Sequence, residues 1–143
     1  MKNPFKRFWQ SSPVNETKSH PVRVEALIVE DKLDEANMLA GLLRQQNVIV
    51  SRATNIAGAL EQLSNPVFHQ LAFVDLGLPN GSGIEIVRRI KESKRMCHVV
   101  VMTGNIEKIP LVVSYGYVGL LGKPYSINSI GEILHKHRLP CAF

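Results

Sequence analysis

Cysteine is scarce in this chain of 143 residues: Cys97 and Cys141 are the only two, and they lack the close spacing of a metal site. They read as free thiols of a reducing cytosol, which argues against a disulfide framework. Long apolar runs are absent too. Nothing approaches about 20 consecutive apolar residues, so no transmembrane helix is expected. The basic N-terminus is not followed by an apolar stretch of signal-peptide length, and the expected location is cytoplasmic. Internal repeats and low-complexity tracts are missing as well. Net positive charge is concentrated at one end. Residues 1–23 hold Lys2, Lys6, Arg7, Lys18 and Arg23 against Glu16 alone, four of the five net positive charges of the chain. The remainder is nearly neutral, so the folded part gives no reason to expect a nucleic-acid partner.

What is present suits one ordinary globular domain. Hydrophobic residues make up 45% of the chain, enough at this length for a single core. Residues 1–22 read as a disordered extension of basic and aromatic character. Pro4, Ser11-Ser12-Pro13 and His20-Pro21 interrupt any periodicity, and polar residues dominate from Gln10 to His20. Phe5, Phe8 and Trp9 share one helical face beside Lys2, Lys6 and Arg7, a composition that membrane-surface or partner docking would also use. So short and Pro-broken a stretch favours disorder.

From residue 23 to 143 strands and helices alternate. Ala26–Val29, Val48–Val50, Leu71–Val74, Val99–Met102 and Val118–Leu121 read as buried strands. Between them, helical periodicity is carried by Ala36, Leu39, Ala40 and Leu43, then by Ile56, Ala59, Leu60 and Leu63 with Thr54 as N-cap. Ile84, Val87 and Ile90 form the next stripe. A weak helix interrupted by Pro110 follows, and Ile127, Ile130, Ile133 and Leu134 form the last, capped by Ser126. Such alternation implies right-handed crossovers and a parallel five-stranded sheet covered by helices on both faces.

Chemistry gathers where four of the strand runs end: Glu30-Asp31, Asp75, Thr103 and Lys123. In an open parallel sheet, side chains at the carboxyl ends of neighbouring strands converge on one crevice. Three carboxylates meeting there repel one another by several kcal/mol at about 4 Å. Either one acid stays protonated or a hard cation sits among them. Mg²⁺ suits the second case, since it takes oxygen ligands and is commonly held by one or two carboxylates plus phosphate. Asp75 is then a metal ligand and a nucleophile toward a phosphoryl group. Lys123 would balance the added charge, and the Thr103 hydroxyl can hydrogen-bond a phosphoryl oxygen. Each acid alone would be read as a helix-capping or loop residue; the set of positions carries the reading. The glycine-rich run Gly77–Gly83 lacks the Lys-Ser/Thr pair of a nucleotide-binding loop. His135 and His137, two apart on a helix, point to different faces and do not make a metal pair.

Four segments together resemble the receiver domain of two-component response regulators. They are Leu27-Ile28-Val29-Glu30-Asp31, Phe73–Gly83, Val101-Met102-Thr103-Gly104 and Gly122-Lys123-Pro124-Tyr125. The likeness runs over about residues 23–137. It implies a flavodoxin-like doubly wound sheet of strand order 2-1-3-4-5, and a signalling phosphoacceptor rather than an enzyme acting on a separate substrate. By position, Asp75 matches the phospho-accepting aspartate, and Glu30 and Asp31 match the acid pair holding Mg²⁺. Thr103 matches the switch hydroxyl and Lys123 the phosphate-contacting lysine. The implied partners are a sensor histidine kinase or histidine phosphotransfer protein and a downstream protein target.

Three departures stand out. Leu120 occupies the position where the family usually has Tyr or Phe, and Tyr117 would face the other side of the strand. The stretch from Thr103 to Lys123 is about two residues short and holds Pro110, which makes Asn105–Tyr115 the candidate element for a conformational response. No output domain follows Phe143, so a stand-alone receiver is expected. The rival reading is a pseudo-receiver, an interaction module that works without phosphorylation. A haloacid-dehalogenase-type phosphatase would want a second acid at position 77, which is Gly.

Overall fold

The computed structural model describes residues 24–64, 69–78, 82–93, 97–104, 107, 119–123 and 125–136. Within them run β1 (Glu25–Val29), α1 (Leu33–Gln45), β2 (Ile49–Ala53), α2 (Ile56–Ser64) and β3 (Leu71–Asp75). There follow α3 (Ser82–Glu92), β4 (His98–Thr103), β5 (Gly119–Gly122) and α4 (Ile127–Lys136). The strands form one sheet in the order β2-β1-β3-β4-β5, with every neighbouring pair parallel. This is the doubly wound arrangement anticipated from the alternation of strand and helix patterns.

Two apolar layers hold the sheet. On one face Ala26, Ile28, Leu71, Phe73, Val100, Met102 and Leu121 meet Leu39, Ala40 and Leu43 of α1 and Ile130, Ile133 and Leu134 of α4. On the other, Leu27, Val29, Ala72, Val74, Val99 and Val101 meet Ala59 and Leu63 of α2 and Ile86, Val87 and Ile90 of α3. Because successive strand residues point to opposite faces, strands covered on both sides must be apolar throughout. That is why β1, β3 and β4 read as continuous runs in the sequence.

Local details correct one expectation and add to others. Asn55, not Thr54, caps α2: its Oδ1 accepts the Gly58 amide at 2.8 Å, since the helix starts one residue later than the periodicity implied. In α3, Gly83 and Ile86 join Val87 and Ile90 in the buried stripe, while Ile84 packs against the same core half-buried. Gly83, Ile86, Val87 and Ile90 stand at i, i+3, i+4 and i+7, and Gly83 lies directly against the end of β3. Finally, α1 opens at Leu33, with Lys32 at the N-cap making no side-chain cap bond. Ser126 does cap α4, accepting the Ser129 amide at 3.1 Å.

The carboxyl end of α1 closes with Asn47 at φ 64. The Asn47 amide donates to the Arg44 carbonyl and the Val48 amide to the Leu43 carbonyl, the paired bonds of a Schellman turn. The helix expected between Thr103 and Val118 lies outside the described residues, apart from Glu107, as do the extension at 1–22 and Cys141.

Candidate functional site

Register determines where the functional side chains emerge. Val29 pairs with Ala53 and Val74, Val74 with Val101, and Thr103 with Gly122, so the strands end level with one another. Glu30 follows β1, Asp75 and Thr103 are the last residues of β3 and β4, and Lys123 follows β5. The strand order reverses between β1 and β3, which opens the crevice beyond their carboxyl ends. Lys32, Glu35, Asp75, Gly77, Thr103, Gly104 and Lys123 line a cleft of about 290 Å³ there.

Glu30, Asp31 and Asp75 each bring a carboxylate oxygen into one group, all within 4.8 Å of one another. Glu30 and Asp75 are almost completely buried, each 2% exposed. The Lys123 ammonium reaches across to Glu35 Oε1 at 2.5 Å, Glu30 Oε1 at 3.1 Å and Asp75 Oδ2 at 3.3 Å. Asp75 Oδ1 accepts the Gly77 amide at 2.8 Å, and Glu30 Oε2 accepts the Lys32 amide at 3.2 Å. Both buried acids are therefore held by the backbone of the loop that follows their strand.

Charge is distributed unequally over these acids. Burial, with a hydrogen bond to Asp75, pushes the Glu30 carboxyl up from 4.5 to about 7. For Asp75, burial acts upward as well. The hydrogen bond from Glu30, the Gly77 amide and Lys123 outweigh it and hold the carboxyl below its ordinary value. Of the two coupled acids, Glu30 is the one more readily protonated and Asp75 the one more readily ionised. Burial works against the Lys123 charge, but hydrogen bonds to Glu35 and Glu30 raise its pKa above the ordinary lysine value.

Asp31 supplies the observation that bears on a metal. Its Oδ1 is buried and has no hydrogen-bond partner in the structure, although it belongs to the three-acid group. A buried, unpaired carboxylate oxygen is costly unless something satisfies it. A hard cation taking oxygen ligands fits that donor set.

A family model for the response regulator receiver domain matches residues 26–135. The chain belongs to this family. Among proteins similar to this receiver is the response regulator protein PilR of Pseudomonas aeruginosa, 28% identical over 114 residues, which are 78% of this chain and 25% of PilR. The photosynthetic apparatus regulatory protein RegA of Cereibacter sphaeroides is 29% identical over 112 residues, 76% of this chain and 59% of RegA. The receiver thus spans less than two thirds of each of these relatives. Among solved structures, a CheY-like receiver domain protein from Methanospirillum hungatei superposes with a TM-score of 0.74 at 20% identity, covering 81% of this chain and 94% of that one. A response regulator from Burkholderia pseudomallei, described with a phosphorylated aspartic acid, calcium ion and citrate, gives a TM-score of 0.69 at 27% identity. It covers 78% of this chain and 66% of that one.

Within this receiver, all five residues singled out in the sequence lie at the carboxyl edge of the sheet. Glu30, Asp31, Asp75 and Lys123 form one contiguous cluster, and Thr103, 7% exposed, lines the same cleft. Glu35 was missed. Its signal was its place in the first turn of α1, four residues after Asp31, where a helical side chain leans back toward the strand end. Leu120 lies on edge strand β5 and is 43% exposed, offering no ring to the site. The segment 105–115 lies outside the described residues apart from Glu107. No helix among the described residues is long and apolar enough to cross a membrane.

Proposed function

We propose that this receiver accepts a phosphoryl group on Asp75, with Mg²⁺ held by Glu30, Asp31 and Asp75. The donor is a sensor histidine kinase or histidine phosphotransfer protein, and the output is protein–protein contact or onward phosphotransfer in the cytoplasm. The observation that carries this reading is the setting of Asp75: buried, oriented by the Gly77 amide, and within reach of Lys123 beside two further acids. The description of a phosphorylated aspartic acid in the Burkholderia pseudomallei relative supports it.

The chemistry requires little of the protein beyond position and charge. An Asp75 carboxylate oxygen attacks phosphorus as the bond from phosphorus to the donor's imidazole nitrogen breaks, and the imidazole leaves with a proton. Lys123 turns an N–H toward a phosphoryl oxygen, and the Thr103 hydroxyl is placed to donate to another. When bound, Mg²⁺ supplies positive charge against the phosphoryl oxygens. Glu30, like Asp31 and Asp75, would serve the ion as a carboxylate ligand.

Incubation of the full chain with Mg²⁺ and acetyl phosphate, or with a phosphorylated histidine kinase, should yield one phosphoryl adduct by intact-mass analysis. The adduct should be stable in acid and lost in base. No adduct from either class of donor would favour the pseudo-receiver, in which the same fold serves as an interaction module.

A further inference from the structure

The Lys123 ammonium has three N–H donors, and three carboxylate oxygens already accept them. A phosphoryl oxygen on Asp75 would be a fourth acceptor, so one of the present three must yield. Asp75 is the group being modified. The Glu30 side chain is 1% exposed and faces the other acids of the three-acid group. Glu35 is different: it stands outside that group, on the first turn of α1, with its side chain 32% exposed. Water can replace Lys123 as its partner at little cost, whereas the buried acids have no such substitute.

We propose that Glu35 is a positioning residue that holds Lys123 until a phosphoryl group displaces it. This rests on the phosphoacceptor reading of Asp75. The Glu35 carboxylate and the incoming anion compete for one N–H, and they also repel each other across the same cleft. Two consequences follow. Glu35 lowers the affinity of the site for a phosphoryl group, and the first turn of α1 responds to the state of Asp75.

The test uses the full chain and beryllofluoride, a phosphoryl mimic, at saturating Mg²⁺, with binding followed by calorimetry in wild type and Glu35→Gln. Gln matches Glu in shape and lacks its charge. The substitution should tighten mimic binding about two- to fivefold, the range for one partly exposed charge pair. A variant that merely loosened the structure would bind the mimic more weakly, so the sign separates the two roles. Amide exchange supplies a second readout. The mimic should change protection at Ala36–Met38, the first amides of α1 with helical partners, in wild type and leave them unchanged in Glu35→Gln. Equal or weaker mimic binding by Glu35→Gln, beside a wild type that binds, overturns the role of Glu35 and leaves the phosphoacceptor reading intact. A wild type that binds no mimic overturns both.

Discussion

Replacing Gly83 by Ala should destabilise the protein by about 0.5–2 kcal/mol. A Cβ at this position would lie 2.3 Å from the Asp75 carbonyl oxygen, 2.8 Å from Leu76 Cα and 3.0 Å from the Asp75 carbonyl carbon. All three are backbone atoms at the end of a buried central strand. The Leu76 amide is tied to the Met102 carbonyl at 3.0 Å, so the strand cannot easily retreat. The helix must move instead, by about 1 Å to reach ordinary van der Waals contact. A gap of that size forfeits roughly a quarter to a half of the dispersion contacts along the interface. The side chains of α3 that face the sheet are Ile86, Val87 and Ile90, each contributing about 2 kcal/mol by burial. Losing a quarter to a half of that sum, less the better helix propensity of Ala, gives the stated range.

Urea unfolding of Gly83→Ala beside Gly131→Ala measures the effect cleanly. Gly131 lies in the middle of α4, and a methyl group added there would meet nothing within 4 Å. At that position the same substitution should stabilise by about 0.5–1 kcal/mol. The displaced start of α3, which packs on the Asp75 backbone, should also slow phosphoryl transfer to Asp75 in Gly83→Ala. If Gly83→Ala unfolds at the same or higher urea concentration than wild type, the close approach of α3 to β3 is wrong.

Two further predictions concern the Glu30 proton and the turn after α1. In the metal-free protein Glu30 holds its proton up to about pH 7, against 4.5 when unconstrained. The folded state therefore binds more protons than the unfolded state between those values, and stability should fall as pH rises through them, by up to about 3 kcal/mol. Chemical unfolding of wild type and Glu30→Gln from pH 5 to 8 isolates this contribution by cancelling that of the histidines; parallel curves would contradict it. Asn47→Gly should raise stability by a few tenths of a kcal/mol to about 1 kcal/mol, because Gly adopts the left-handed conformation at φ 64 without a Cβ penalty. A loss of stability in thermal melts would mean that the Asn47 side chain makes a contribution the Schellman turn does not account for.

Most of the fold was legible because β1, β3 and β4 are buried on both faces and so cannot be anything but apolar. Their ends mark the site, and the register that levels them follows from parallel pairing. This is why Glu30, Asp31, Asp75, Thr103 and Lys123 were all found from runs and their boundaries. Electrostatics was legible in outline, since three acids at one crevice require either a proton or a cation, and burial makes Glu30 the acid most readily protonated. Contacts that depend on one residue of helix phase were not legible. Asn55 rather than Thr54 caps α2, and Ile86 is buried more deeply than Ile84, because periodicity locates a stripe but not its centre. Glu35 escaped for a similar reason: its pairing with Lys123 joins residues 88 apart in sequence, and only the packing of α1 beside the end of β5 brings them together.

The claim that Asp75 is the phosphoacceptor is tested most directly by trapping the product. After incubation with acetyl phosphate and Mg²⁺, borohydride reduces an aspartyl phosphate to homoserine, and peptide mass spectrometry then locates that residue in the chain. Homoserine is predicted at position 75 alone, and its formation should require Mg²⁺. Homoserine at any other acid, or none at position 75 in a protein that has taken up a phosphoryl group, would contradict the account.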